Sequence, residues 1–68
     1  MLPGWDKTLL TMMAMYKGRY GEKGKEMVER LVQVSVDDPT SPVEASDAQT
    51  MYNFINDNWD TVKPIKLP

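Results

Sequence analysis

The chain has 68 residues, a formal net charge of −2, six methionines, and neither cysteine nor histidine. This composition excludes disulfides and the usual ligand sets for zinc, haem and iron–sulfur clusters, and it leaves nucleophilic catalysis without a histidine base or a cysteine nucleophile. Since so short a chain supports only a small core, we expect one small acidic domain, not an enzyme, with no cofactor and no metal, that gains stability by contact with another protein or with itself.

The chain shows no targeting or membrane-spanning pattern. Its N-terminal segment lacks the basic region and apolar stretch of a secretory signal, and no apolar run approaches the roughly 18 residues of a membrane span. We therefore expect a soluble, intracellular, cytoplasmic protein without a membrane partner.

The first predicted helix begins at Gly4 or Asp6, and Gly18 and Gly21 are its candidate stop signals. Apolar residues recur at spacings of three and four, which places them within about 100° of one helix face. The residues of this face are Trp5, Leu9, Met12, Met13, Tyr16 and Tyr20. Leu10 and Met15 project away from it, so we expect part of the apolar surface of this helix to stay uncovered.

The second predicted helix runs from about Glu22 to Val34 and ends before Asp38-Pro39, because a residue that precedes proline disfavours helical geometry. Its predicted apolar face consists of Met27, Val28, Leu31 and Val34. The segment 32–36 also alternates with the period of a strand, and the sequence alone leaves both states open. We favour the helix, since no second strand is available to pair with this one.

The third predicted helix has two possible starts. Ser41, Pro42 and Glu44 form one capping pattern, which begins the helix at Pro42, and the segment 46–49 forms a second, which begins it at Asp47. In both cases one face carries Ala48, Met51, Tyr52, Ile55, Trp59 and Val62, with Phe54 to the side. The fold class is therefore all-α: residues 1–63 form a three-helix unit, and residues 64–68 form an extended, proline-containing tail.

A basic, glycine-rich segment at residues 17–25 connects the first two predicted helices. It contains Lys17, Arg19, Lys23 and Lys25 together with three glycines at spacings of three. A GxxG turn with basic flanks resembles, over these nine residues only, the nucleotide-gripping loop of KH domains. The chain lacks the sheet of that family, and helix termination with solvated lysines is the alternative interpretation.

The charge distribution argues against nucleic acid as the main partner. Residues 1–30 carry six basic and four acidic side chains (+2), and residues 31–68 carry two and six (−4). Nucleic-acid affinity depends on neutralising several phosphates, which an acidic chain does poorly. Binding through Arg19, Lys23 and Lys25 is therefore an alternative function, and a structural subunit that uses the apolar tail residues 65–67 is another.

The main functional hypothesis is a small protein-binding module of the regulator, inhibitor or adaptor type. It would act through the uncovered apolar and aromatic surface of the first helix, since such patches mark interaction sites. The residues predicted to contact the partner are Leu10, Met15, Tyr16, Arg19 and Tyr20. Phe54 and Trp59, near predicted helix ends, would extend this surface with residue types that are enriched at interfaces.

Overall fold

The computed structural model describes residues 3–66 and contains three α-helices, α1 (Trp5–Tyr20), α2 (Lys23–Asp37) and α3 (Ala45–Asn58). No strand occurs among these residues, which confirms the prediction of a small all-α fold. The segment 32–36 lies inside α2, so the helical interpretation of its ambiguous pattern is also confirmed.

Glycines with positive φ bound helix α1 at both ends. Gly4 precedes the helix with φ 84°, and Gly21 follows it with φ 64° and donates its backbone N–H to the Lys17 carbonyl at 2.9 Å. Positive φ favours glycine at both positions, because glycine has no Cβ atom that would clash with the backbone there. The prediction that Gly18 ends the helix is wrong, since Gly18 lies within α1.

Helix α2 buries a face that only partly coincides with the predicted one, since Val28 is buried and Leu31 half-buried as expected. Gly24, Val28 and Val32, at spacings of four, are buried, whereas Met27 is 37% exposed and Val34 is 59% exposed. The reason is a close approach of two backbones: a Cβ placed on Gly24 would lie 2.6 Å from the Tyr16 carbonyl oxygen of α1. Because only glycine permits this approach, its position sets which side of α2 faces α1.

Helix α3 begins between the two predicted starts. Its N-cap is Glu44, which forms a capping box with Asp47, and the Glu44 backbone N–H donates to Asp47 Oδ2 at 3.3 Å. Ser41 is not the cap, because its hydroxyl accepts the Val43 N–H at 3.2 Å in the preceding turn. Both predicted starts, Pro42 and Asp47, are therefore wrong by a few residues.

The core lies between the three helices and draws on all of them. Its buried residues are Leu9, Met13, Ala14, Val28, Val32, Met51, Ile55 and Trp59. Leu10 is half-buried and packs against this core, which corrects the expectation that it stays uncovered. The helix face that α1 buries is therefore rotated toward Leu10 relative to the predicted face.

The described part of the tail, residues 64–66, is not helical and lies against α1. The Ile65 N–H donates to the Ala14 carbonyl at 3.0 Å, and a Cβ on Gly18 would overlap the Ile65 carbonyl group. Gly18 therefore has a packing role, because its missing side chain leaves room for the tail backbone. Leu67 and Pro68, also predicted to be extended, lie outside the described residues.

The turn that follows α2 is organised by one carboxylate. Asp38 Oδ1 accepts hydrogen bonds from the Thr40 hydroxyl at 2.7 Å and from the Thr40 backbone N–H at 2.9 Å. These two hydrogen bonds favour the charged form and hold the pKa of the Asp38 carboxyl below its ordinary value of 3.8.

We expect Gly24→Ala to lower the free energy of unfolding by about 1–3 kcal/mol, the usual cost of inserting a methyl group into a packed contact. The direction of the stability change identifies the close contact, because replacing an unconstrained glycine inside a helix by alanine normally stabilises the helix. Urea denaturation measures the change, and Thr50→Ala, at an exposed position of α3, is the control. An increase in stability for Gly24→Ala would contradict the close approach of α1 and α2.

We expect Thr40→Val to raise the pKa of the Asp38 carboxyl toward its ordinary value, because the hydroxyl donor is lost. A pKa that is depressed in the folded state contributes stability above the unfolded pKa and loses it as pH falls through the folded pKa. The variant should therefore lose this contribution at neutral pH and show a weaker acid dependence. NMR titration of the Asp38 carboxyl carbon tests this, with Thr50→Val as control; an unchanged pKa would contradict it.

Candidate functional site

Four of the five residues predicted to contact a partner lie together at the C-terminal end of α1. Met15, Tyr16, Arg19 and Tyr20, here called the tyrosine surface, line an open pocket of about 140 Å³. The fifth residue, Leu10, does not line this pocket. It is half-buried and packs against the core, as Tyr16 also does. Met15 is 37% and Tyr20 is 42% exposed, so the surface presents apolar atoms to solvent.

Contacts between neighbouring turns of the helix organise the tyrosine surface. The rings of Tyr16 and Tyr20, four residues apart, have centroids separated by 5.8 Å and planes inclined by 47°. The Arg19 guanidinium carbon lies 5.8 Å from the centroid of the Tyr20 ring, within the range of a cation–π contact. The spacing of four places Tyr16 and Tyr20 on one face of the helix, whereas Arg19 and Tyr20 are neighbours in sequence.

The polar groups of the tyrosine surface are not engaged within the described part of the chain. Among residues 3–66, Arg19 forms no ion pair or hydrogen bond, and the hydroxyls of Tyr16 and Tyr20 likewise have no hydrogen-bond partner. A guanidinium offers five N–H donors, and each phenol can donate or accept one hydrogen bond. The surface therefore combines apolar area with polar groups that a partner can reach.

The neighbouring charged residues, in contrast, are used to hold Trp59. Lys17 Nζ donates to the carbonyls of Trp59 at 2.6 Å and of Val62 at 3.0 Å, and it lies 5.3 Å from the centroid of the indole. The indole N–H donates to Glu22 Oε2 at 2.9 Å. Trp59 is only 2% exposed, so the expectation that it extends an exposed surface is wrong. Phe54 is half-buried, with its ring edge-to-face against Trp5 at 5.1 Å.

The basic segment 17–25 is not a loop. Residues 17–20 belong to α1, residues 23–25 belong to α2, and Gly21 and Glu22 alone connect them. Gly18 and Gly24 leave room for close backbone contacts, and Gly21 forms the turn after α1. The fold therefore accounts for all three glycines without a bound phosphate. Lys23 is exposed and Lys25 half-buried, and with Arg19 they lie on two different helices. Nucleic-acid binding through these three residues stays a prediction.

A second concave surface, here called the apolar groove, was not predicted. It has a volume of about 290 Å³ and lies where the start of α1 meets the end of α2 and the connection to α3. Its uncharged lining consists of Pro3, Trp5, Thr8, Leu9, Met12, Ser35, Pro42, Val43 and Met51. These residues come from separate segments, so no linear pattern in the sequence marks them as neighbours.

None of the helices among residues 3–66 has the length and apolar character to cross a membrane. No group of three or more acidic, histidine or cysteine side chains within the same range is arranged to hold a metal ion. Comparison of the chain with protein-family models, curated proteins and solved structures finds no match.

We expect Lys17→Met to lower the free energy of unfolding by about 1–3 kcal/mol, because the carbonyls of Trp59 and Val62, which follow α3, lose a charged hydrogen-bond donor. Lys7→Met, on an exposed position of the same helix, is the control and should change stability little. Thermal or urea denaturation measures both. Equal stabilities of the two variants would contradict the role assigned to the Lys17 ammonium.

Proposed function

We propose that this chain is a small, non-enzymatic protein-binding module of the regulator, inhibitor or adaptor type, which binds another protein or a second copy of itself through the tyrosine surface. The observation that supports this proposal is the grouping of Met15, Tyr16, Arg19 and Tyr20 around one pocket on one helix.

The residue types of the tyrosine surface support a protein partner. Tyrosine, methionine and arginine are enriched at protein interfaces, whereas lysine and glutamate are depleted. Methionine adapts its flexible, polarizable side chain to an irregular partner, and tyrosine combines a large apolar ring with one hydroxyl. A surface built from these types gains from apolar burial while its polar groups select the partner.

The position of the tyrosine surface on the scaffold is also favourable. Its four residues stand on α1, which is anchored on one side by the Gly24 contact with α2 and on another by the tail contact at Ala14. A rigid helix presents side chains with less loss of conformational entropy on binding than a loop does. Partner binding therefore needs no rearrangement of the core.

Site-specific photo-cross-linking tests the proposal. A photo-reactive benzoylphenylalanine replaces Tyr20 in one variant and the exposed Val34 of α2 in another, and both are irradiated in cells of the native host. We expect a discrete protein adduct from position 20 and not from position 34. Mass spectrometry identifies the partner, and sedimentation equilibrium at two protein concentrations shows whether the chain also associates with itself.

A matched pair of methionine variants provides the control. Met15 and Met27 are both 37% exposed, but only Met15 belongs to the tyrosine surface. We expect Met15→Asp to reduce the adduct by about tenfold or more, as for an interface residue that contributes strongly to binding, and Met27→Asp to leave it unchanged. Circular dichroism checks that both variants fold. Equal adducts from both would contradict the proposed surface.

A further inference from the structure

We infer that the tyrosine surface recognises a single carboxylate flanked by apolar side chains on the partner, so that an acidic and apolar peptide segment binds there. The Arg19 guanidinium would hold the carboxylate, and Met15 with the two tyrosine rings would contact the flanking apolar groups. The inference rests on the proposed function and adds to it the chemistry of the partner.

The charged side chains at the end of α1 differ in the contacts that they make. The Lys17 ammonium is bound to the carbonyls of Trp59 and Val62, which follow α3, so it is not free for a partner. Glu22, the next acidic residue along the chain, accepts the Trp59 indole N–H instead of pairing with Arg19. Arg19, like other basic side chains of residues 3–66, has no ion pair there, and it is the cation that lines the pocket of the tyrosine surface, where an anion from a partner can pair with it.

The Arg19 guanidinium lies beside the ring of Tyr20. Its central carbon lies 5.8 Å from the centroid of the Tyr20 ring, which gives the cation an aromatic neighbour but takes none of its N–H donors. Arginine commonly combines contact with an aromatic ring and a bidentate pair with a carboxylate, because the guanidinium is planar. The hydroxyls of Tyr16 and Tyr20 are further hydrogen-bond donors on the same surface.

The pocket of the tyrosine surface is about the size of one apolar side chain. The pocket has a volume of about 140 Å³, close to the roughly 150 Å³ of an apolar cavity that accommodates benzene. One apolar side chain of a partner therefore fills it. Arg19 is the one cation among the four residues that line this pocket, which matches one carboxylate with an apolar neighbour better than it matches a nucleic-acid strand, since a strand would need several cations along its phosphates.

Three capped tripeptides serve as probes of this chemistry. Acetyl-Leu-Glu-Leu-amide carries the carboxylate and the apolar flanks, acetyl-Leu-Gln-Leu-amide lacks the charge, and acetyl-Gly-Glu-Gly-amide lacks the apolar flanks. Each is titrated into the full chain while NMR follows the Met15 methyl and Arg19 Nε–H signals. We expect the first peptide to bind about two- to fivefold more tightly than the second, the range of an exposed ion pair, and more tightly than the third.

Two arginine variants identify the group responsible. Arg19→Gln should abolish the preference for glutamate over glutamine, and Arg30→Gln, at an exposed position of α2, should retain it. Equal binding of the first two peptides by the unmodified chain would overturn the inference, although the proposed function would stand if the cross-link at position 20 is found. Tighter binding of a short oligodeoxythymidylate, lost steeply with salt, would overturn it in favour of nucleic acid.

Discussion

The burial of one tryptophan is the constraint on which much of this fold depends. Trp59 follows the last turn of α3 and is almost completely buried, yet it carries an indole N–H and a backbone carbonyl that need partners. Glu22 accepts the first and Lys17 donates to the second. These contacts connect the end of α3 to the end of α1 and to the turn before α2. In a chain without disulfides, hydrogen bonds to one buried tryptophan therefore hold the three helices together at this end.

This constraint also determines what the end of α1 presents to solvent. Lys17 and Glu22 both contact Trp59, whereas Arg19 lies beside two tyrosines and Met15. A surface that mixes exposed apolar atoms with a cation that has no ion pair among residues 3–66 differs from ordinary solvated surface, where charges mainly maintain solubility. Lys17 and Glu22 therefore serve the packing of Trp59, whereas Arg19 stays accessible to a partner.

The grouping of the tyrosine surface was largely predictable, because spacings of three and four place its residues on one side of a helix without any tertiary information. The predicted exposure failed for Leu10, which is half-buried against the core, and for Trp59, which is buried in it. The apolar groove was not predictable at all, since its walls come from the start of α1, the end of α2 and the connection to α3. A pattern within one helix can be read from the sequence, whereas a surface shared among segments depends on how they pack.

The sequence by itself determined the all-α fold, the approximate extent of its three helices and the lack of disulfides, because hydrophobic periodicity, proline positions and composition act locally. Only the tertiary structure decided which face of each helix is buried. The deciding contacts are approaches of backbone to backbone at Gly18 and Gly24, where the absence of a side chain lets the tail and α2 lie against α1. An amphipathic pattern shows that a helix has an apolar side, but the packing partner selects the buried part, which is why Met27 and Val34 are exposed while Leu10 packs against the core.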